Sequence, residues 1–200
     1  PSYFAKGMAI YNTGNIAYGI TNSNFIGNYI ESIAATVENS NLDIQGGAIY
    51  NTGTLPKISD THFFGNHLVS VEGQAFGGAI WTNKTLSITG STRPTLDSSI
   101  TIVGKHSDIT SDTNAFTSFI ENYAIANSTS VYGGAIYTSA ALTVDKALFL
   151  GNYITHNGTN VLSRGGAIAL MGGTSTISNS LFMGNYTASV GGLAKGGAVY

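Results

Sequence analysis

Two short motifs alternate along this chain and leave few folds open to it. G-G-A-I followed by an aromatic stands at Gly46, Gly77 and Gly133, with looser copies at Gly7, Gly165 and Gly196. F-x-x-N stands at Phe25, Phe63, Phe119, Phe149 and Phe182. From glycine to phenylalanine the offset is 18 residues for Gly7 to Phe25, 17 for Gly46 to Phe63, 16 for Gly133 to Phe149 and 17 for Gly165 to Phe182. Only Gly77 to Phe119 is out of step, which places an insertion at about 89–118. A unit of about 31 residues repeated this way marks a solenoid, propeller or array.

The period is of the β kind. Gly numbers 26 of 200 residues, and the apolar runs between Asn, Ser and Thr are short and β-branched, which favours strands and turns over helix. The 46–66 unit reads as three short strands, at 48–51, 55–59 and 62–64. The expected fold is therefore all-β: a right-handed parallel β-helix of about six coils, three short strands per coil. Residues 1–200 form a single β-helix segment of a longer chain.

Parallel stacking puts like residues about 4.8 Å apart in neighbouring coils, so equivalent side chains form ladders. One ladder holds Ile10, Ile49, Ile80, Ile136, Ile168 and Val199. The next holds Tyr11, Tyr50, Trp81, Tyr137 and Tyr200, broken by Ala169. Alternation lets only one of the two face the core. It also turns the preceding alanines, Ala48 and its equivalents, the same way as the aromatics. Either assignment fits the residue sizes, and the isoleucine row is the favoured one. Phe25, Phe63, Phe119, Phe149 and Phe182 form an inward ladder. Ile20, Ile58, Val144 and Ile177 form another, broken at Asn114 in the irregular copy. Asn28, Asn66, Asn122, Asn152 and Asn185 tolerate left-handed turns and can bond amide to amide along the stack. The glycine pairs supply positive φ or close coil approach.

Tyr29, His67, Tyr123, Tyr153 and Tyr186 follow the F-x-x-N motif. They make an outward stripe that either covers the lip of a turn or meets a sugar or partner. The segments 29–45, 67–76, 123–132, 153–164 and 186–195 read as loops gathered on one face, where solenoids commonly bind. Within the insertion, Arg93, Asp97, Lys105, His106, Asp108 and Asp112 are the candidate contacts to a partner.

Composition excludes several classes. Net charge is -2 and charged residues are 9 %, far below the roughly 25 % of an average domain, so no basic field exists for nucleic acid. Cysteine is absent, which removes disulfides and thiolate metal sites. The ten acids are scattered, with Asp60 and His62, and Asp145 and Lys146, the nearest pairings. The four histidines lack metal-ligand spacing, and no nucleophile elbow is present. No enzyme, cofactor or metal is expected.

With both motifs repeated in alternation over nearly all of the chain, the sequence resembles the polymorphic outer-membrane protein repeat family of bacterial surface proteins. The resemblance implies the β-helical passenger of an autotransporter used in adhesion, at the outer-membrane surface or secreted. It implies a host-cell or matrix receptor, protein or glycan, as partner, with the membrane reached only through an anchor elsewhere. It supplies no catalytic residues. Met8 in place of a second glycine, Ala169 in place of an aromatic and Glu121 in place of glycine depart from the pattern. Two further classes stay open: a self-assembling filament or matrix protein, since uncapped coil ends template stacking, and a polysaccharide-active β-helix enzyme.

Overall fold

The structure, a computed structural model, describes residues 5–32, 42–94 and 116–200. These residues form four sheets in which every strand pair is parallel and joins one coil to the next. The chain is a parallel β-helix. Sheet A stacks Ile10–Asn12, Ile49–Asn51, Ile80–Thr82, Ile136–Thr138 and Ile168–Leu170. Sheet B stacks Ile20–Thr21, Lys57–Ser59, Leu86–Thr89, Leu142–Asp145 and Thr176–Ser178. Sheet C stacks Asn24–Ile26, His62–Phe64, Thr117–Ile120, Ala147–Leu150 and Leu181–Met183.

Sheet D is the main departure from the sequence reading. The segments expected as loops carry eight of its nine strands, so a coil has more than three. Tyr29–Ser32, His67–Ser70 and Tyr123–Ala126 leave the body of the coil. Ala5–Lys6, Ile44–Gln45, Ala75–Phe76 and Val131–Tyr132 return to it. Tyr153–Arg164 and Tyr186–Lys195 run continuously through both halves. Each excursion is a thin side lobe with its own core of Ile30, Ile44, Leu68, Ala75, Ala124, Ala126, Val131 and Ile154. Polar residues at inward positions hide its alternation. Ser70 is fully buried, and its Oγ accepts the Gly73 N–H at the lobe tip at 2.9 Å; Ser189 Oγ accepts from Gly192 N at 2.9 Å.

The main core belongs to sheets A, B and C. Phe25, Phe63, Phe119, Phe149 and Phe182 stack with ring centroids 4.8, 4.7, 4.8 and 4.6 Å apart. Such pairs contribute about 0.5–1.5 kcal/mol each beyond the area they bury. Ile49, Ile80, Ile136 and Ile168 line the same core. The alanines correct the alternation argument: Ala48, Ala79, Ala135 and Ala167 lie in the core beside the isoleucines, not with the aromatics. They precede sheet A at a corner, where the backbone turns and the two-residue period does not apply. The Ala79 carbonyl accepts from both Ala48 N and Ile49 N at 2.9 Å. In sheet B, Ile88 occupies the place expected of Asn114, between Ile58 and Val144, so that ladder is unbroken. The insertion leaves after Thr89 and rejoins at Phe116. A Cβ on Gly90 would stand 2.7 Å from the Phe116 Cα, so its two ends abut.

The coils turn at three left-handed corners, the second of which is missing where the insertion leaves at Gly90. Gly7, Gly46, Gly77, Gly133, Gly165 and Gly196 form one column of positive φ, Asn22, Asp60, Lys146 and Asn179 a second, and Gly27, Gly65, Glu121, Gly151 and Gly184 a third. Space is open at the third corner: a Cβ on Gly65 would meet nothing within 4 Å. That is why Glu121 fits there, at φ 53°. It retains the backbone cost of a left-handed L-residue, about 1–2 kcal/mol, against a smaller entropic gain in the unfolded chain. Glu121→Gly is expected to stabilise the protein by about 0.5–1 kcal/mol, read as a higher midpoint in urea with unchanged slope.

Candidate functional site

The second glycine of each pair marks the neck where the side lobe joins the coil. Gly78 has ordinary negative-side backbone, yet a Cβ on it would stand 2.0 Å from the Gly134 carbonyl oxygen and 2.4 Å from the Tyr123 carbonyl oxygen. Gly134 faces Gly166 O at 2.1 Å and Tyr153 O at 2.6 Å in the same way. The neck is thus backbone against backbone on two sides. In the first coil Met8 stands at this position, and the hydrogen bonds slip by one residue: Met8 N donates to Gly47 O at 3.4 Å, where Gly47 N donates to Gly77 O and Gly78 N to Gly133 O.

Beside the neck run the asparagines. Asn28 Nδ2 donates to Asn66 Oδ1 at 2.8 Å, Asn66 to Asn122 at 2.9 Å, Asn122 to Asn152 at 3.0 Å and Asn152 to Asn185 at 2.9 Å. The same Oδ1 atoms also accept the backbone N–H of the neighbouring asparagine. The remaining Nδ2 protons of Asn66, Asn122, Asn152 and Asn185 go to the carbonyls of Phe25, Phe63, Phe119 and Phe149. Asn66, Asn122 and Asn152 are fully buried, with the amide donors and acceptors engaged as burial requires.

On the outer side of the neck, Tyr29, His67, Tyr123, Tyr153 and Tyr186 stack with centroids 5.1, 4.5, 4.9 and 5.0 Å apart and planes within 11°. Each inner ring spends both faces on its neighbours. The row runs as one stacked column along the neck, with Tyr29 and Tyr186 exposed at its ends. Burial, reinforced by Tyr123, Tyr186 and Glu121, pushes the Tyr153 phenol up to about 12.

A second aromatic group was only half visible in the sequence. Tyr11, Tyr50, Trp81 and Tyr137 stack outward from sheet A at 5.0, 4.6 and 6.2 Å. Phe76 and Tyr132, one position before the glycine pairs, meet Tyr137 edge-on at 4.9 and 6.1 Å. They fill the inside corner between the lobe and sheet A. Lys6 Nζ lies 4.6 Å from the Tyr50 ring centre. Where Ala169 interrupts the row, the Arg164 guanidinium lies 4.7 Å from Tyr200 and 5.7 Å from Tyr132, and Ala169 is fully buried. The signal missed was the residue just ahead of each glycine pair.

Of the pairings considered for acid/base chemistry, Asp60 and His62 separate. Asp60 accepts from Ser91 N and Oγ at 2.7 and 2.8 Å, while His62 Nδ1 lies 2.7 Å from Ser118 Oγ. Asp145 accepts from Asn179 at 2.7 Å and Ser178 at 2.8 Å, which hold its carboxyl below the usual carboxylate range. These acids tie coil to coil at the second corner. Among the described residues, no three of His, Asp or Glu gather where a metal could bind. A groove of about 680 Å³ lined by Thr13, Thr52, Thr54 and Lys84 carries no acid, so no general acid/base pair lines it. Of the candidate partner contacts, Arg93 is exposed. Asp97, Lys105, His106, Asp108 and Asp112 lie outside the described residues.

The fold and its repeated neck define a parallel β-helix repeat protein. Residues 116–139, which contain Phe119 to Asn122 and Gly133 to Tyr137, match the Chlamydia polymorphic membrane protein repeat. The match supports assignment to the polymorphic membrane protein family and, at a coarse level, an outer-membrane or surface location. No curated protein and no solved structure matches the chain.

Folded Tyr153 holds its proton more tightly than the unfolded chain, whose tyrosines titrate near 10. Its contribution is therefore complete below about 10 and is lost as pH rises toward about 12. Phenolate absorbance followed alongside far-ultraviolet circular dichroism is expected to show Tyr153 titrating last, behind Tyr123 and Tyr137, whose phenols burial also raises, with stability falling over that window. Tyr153→Phe is expected to remove the late step.

Proposed function

We propose that this chain is a non-catalytic scaffold segment of a bacterial surface adhesin, a rigid β-helical stalk that holds the insertion of its third coil out toward a host-cell or matrix receptor. The observation that carries this reading is the unbroken registry of all four sheets across the insertion. Thr117, Ser118, Phe119 and Ile120 pair with Ala147, Leu148, Phe149 and Leu150 on one side, and Ser118 to Ile120 with His62 to Phe64 on the other. A stalk whose ladders close on both sides of an insertion does not need the inserted residues to complete its sheets, and such segments commonly carry contacts. The repeat match supports a surface location, and the family is one of membrane and surface proteins. Export through a C-terminal barrel and adhesion itself are inferences from that family. No nucleic acid is among the partners proposed, because the charge needed to hold one is lacking.

The abutting ends at Gly90 and Phe116 make a clean test. Removing 91–115 and joining the flanks is expected to leave the β-type circular dichroism and the cooperative unfolding in place. Binding of the purified chain to host cells and to extracellular-matrix proteins is expected to fall at least about tenfold, a loss of about 1.4 kcal/mol. Unchanged binding by the folded deletion would overturn the role given to the insertion.

A further inference from the structure

Asn157-Gly158 is the one Asn-Gly pair in the sequence, and the structure sets it in unusual surroundings. It lies at the tip of the fourth side lobe, inside the continuous strand Tyr153–Arg164. Pairing with the preceding coil stops at Ala126 opposite His156 and resumes at Val131 opposite Ser163. On the other side the register shifts between His156 and Thr159. Asn157 and Gly158 therefore fall between paired positions on both edges, although the chain there stays within the strand. The Asn157 side chain is exposed, with Nδ2 donating to Asn127 Oδ1 at 3.2 Å.

His156 completes the arrangement. It is buried, 1 % exposed, and neither ring nitrogen has a partner beyond its own main chain. In register it faces Ala126 and Ser189, neither of which titrates. The edge of the imidazole lies against Gly158: a Cβ there would stand 3.0 Å from Cε1 and 3.1 Å from Nε2. Burial lowers the affinity of the ring for a proton, which keeps it neutral and able to accept one.

We propose that Asn157 is a self-modification site, at which the Gly158 amide nitrogen closes on the Asn157 side chain with His156 as the proton acceptor. The Gly158 nitrogen attacks Cγ of Asn157 and its proton passes to the imidazole. The Cγ–Nδ2 bond breaks, Nδ2 takes up that proton and leaves as ammonia, and a succinimide remains. Water then opens the ring at either carbonyl, giving aspartate or isoaspartate. The sum is asparagine plus water to aspartate or isoaspartate plus ammonia, with no oxidant or other reagent. Isoaspartate lengthens the main chain by one methylene at a point already out of register. A carboxylate at 157 also ends the donation to Asn127. The reaction loosens the fourth lobe with age.

The test is incubation of the folded protein at neutral pH and body temperature. Peptide mapping and isoaspartyl methyltransferase labelling then follow it, with circular dichroism confirming that each variant is folded. Conversion is expected at 157 and absent in Asn157→Gln. It is expected to slow about a hundredfold in His156→Gln, the low end of what a positioned general base contributes. The two rates are expected to converge in alkali, where hydroxide removes the proton. The wild-type rate is expected to bend below the ordinary histidine value as the ring titrates. No conversion at 157, equal rates in wild type and His156→Gln at neutral pH, or a wild-type rate that simply tracks hydroxide would each overturn the proposal.

Discussion

The structure depends on a close approach of backbone to backbone at the second glycine of each pair. At Gly78, Gly134 and Gly166 a carbonyl of the next coil and a carbonyl across the neck both stand where a Cβ would be. This contact lets a coil pinch into a main body and a thin lobe while every strand keeps its partner above and below. The two sides therefore bury separate cores, the phenylalanine and isoleucine ladders in the main body and the small side chains around Leu68 and Ile154 in the lobe, besides a smaller cluster of Phe116, Leu148 and Leu150.

Registry follows from the neck. Once the backbones meet there, Asn66, Asn122 and Asn152 are buried beside it, and their amides can be satisfied only by copies of themselves and by the phenylalanine carbonyls. A slip of one residue would leave these amides unpaired, at about 1–3 kcal/mol per group, and would turn the phenylalanines outward. Polar and apolar ladders thus enforce the same alignment. With so few charges on the chain, corner acids such as Asp60 and Asp145 act as hydrogen-bond acceptors between coils.

Much of the fold was legible because stacking repeats the same demand in each coil, and a demand repeated at a fixed spacing shows in one sequence. The coil period and the parallel β-helix follow from that. The side lobe was not legible, because its inward positions mix apolar with small and polar residues, Leu68 with Ser70, Ala124 with Ala126 and Ile154 with His156, and serine reads as loop until its bond to the lobe tip is seen. The alanines were misplaced because strand alternation was carried one residue too far, into a corner. The break assigned to Asn114 came from counting back from Phe119 across an insertion; Ile88, before the insertion, holds the place. His156 carried no signal at all, since its meaning lies in what fails to reach it.

The most direct measurement is the unfolding free energy of Gly134→Ala against Gly151→Ala. Gly134 has no positive φ but a carbonyl at 2.1 Å from the added carbon, whereas Gly151 has φ 63° and only the Glu121 Cγ at 3.7 Å. The first substitution therefore tests the neck contact and the second only backbone strain. The account predicts a loss of more than about 3 kcal/mol for Gly134→Ala, beyond ordinary overpacking, and about 1–2 kcal/mol for Gly151→Ala. A Gly134→Ala protein as stable as the wild type, or more stable than Gly151→Ala, would contradict it.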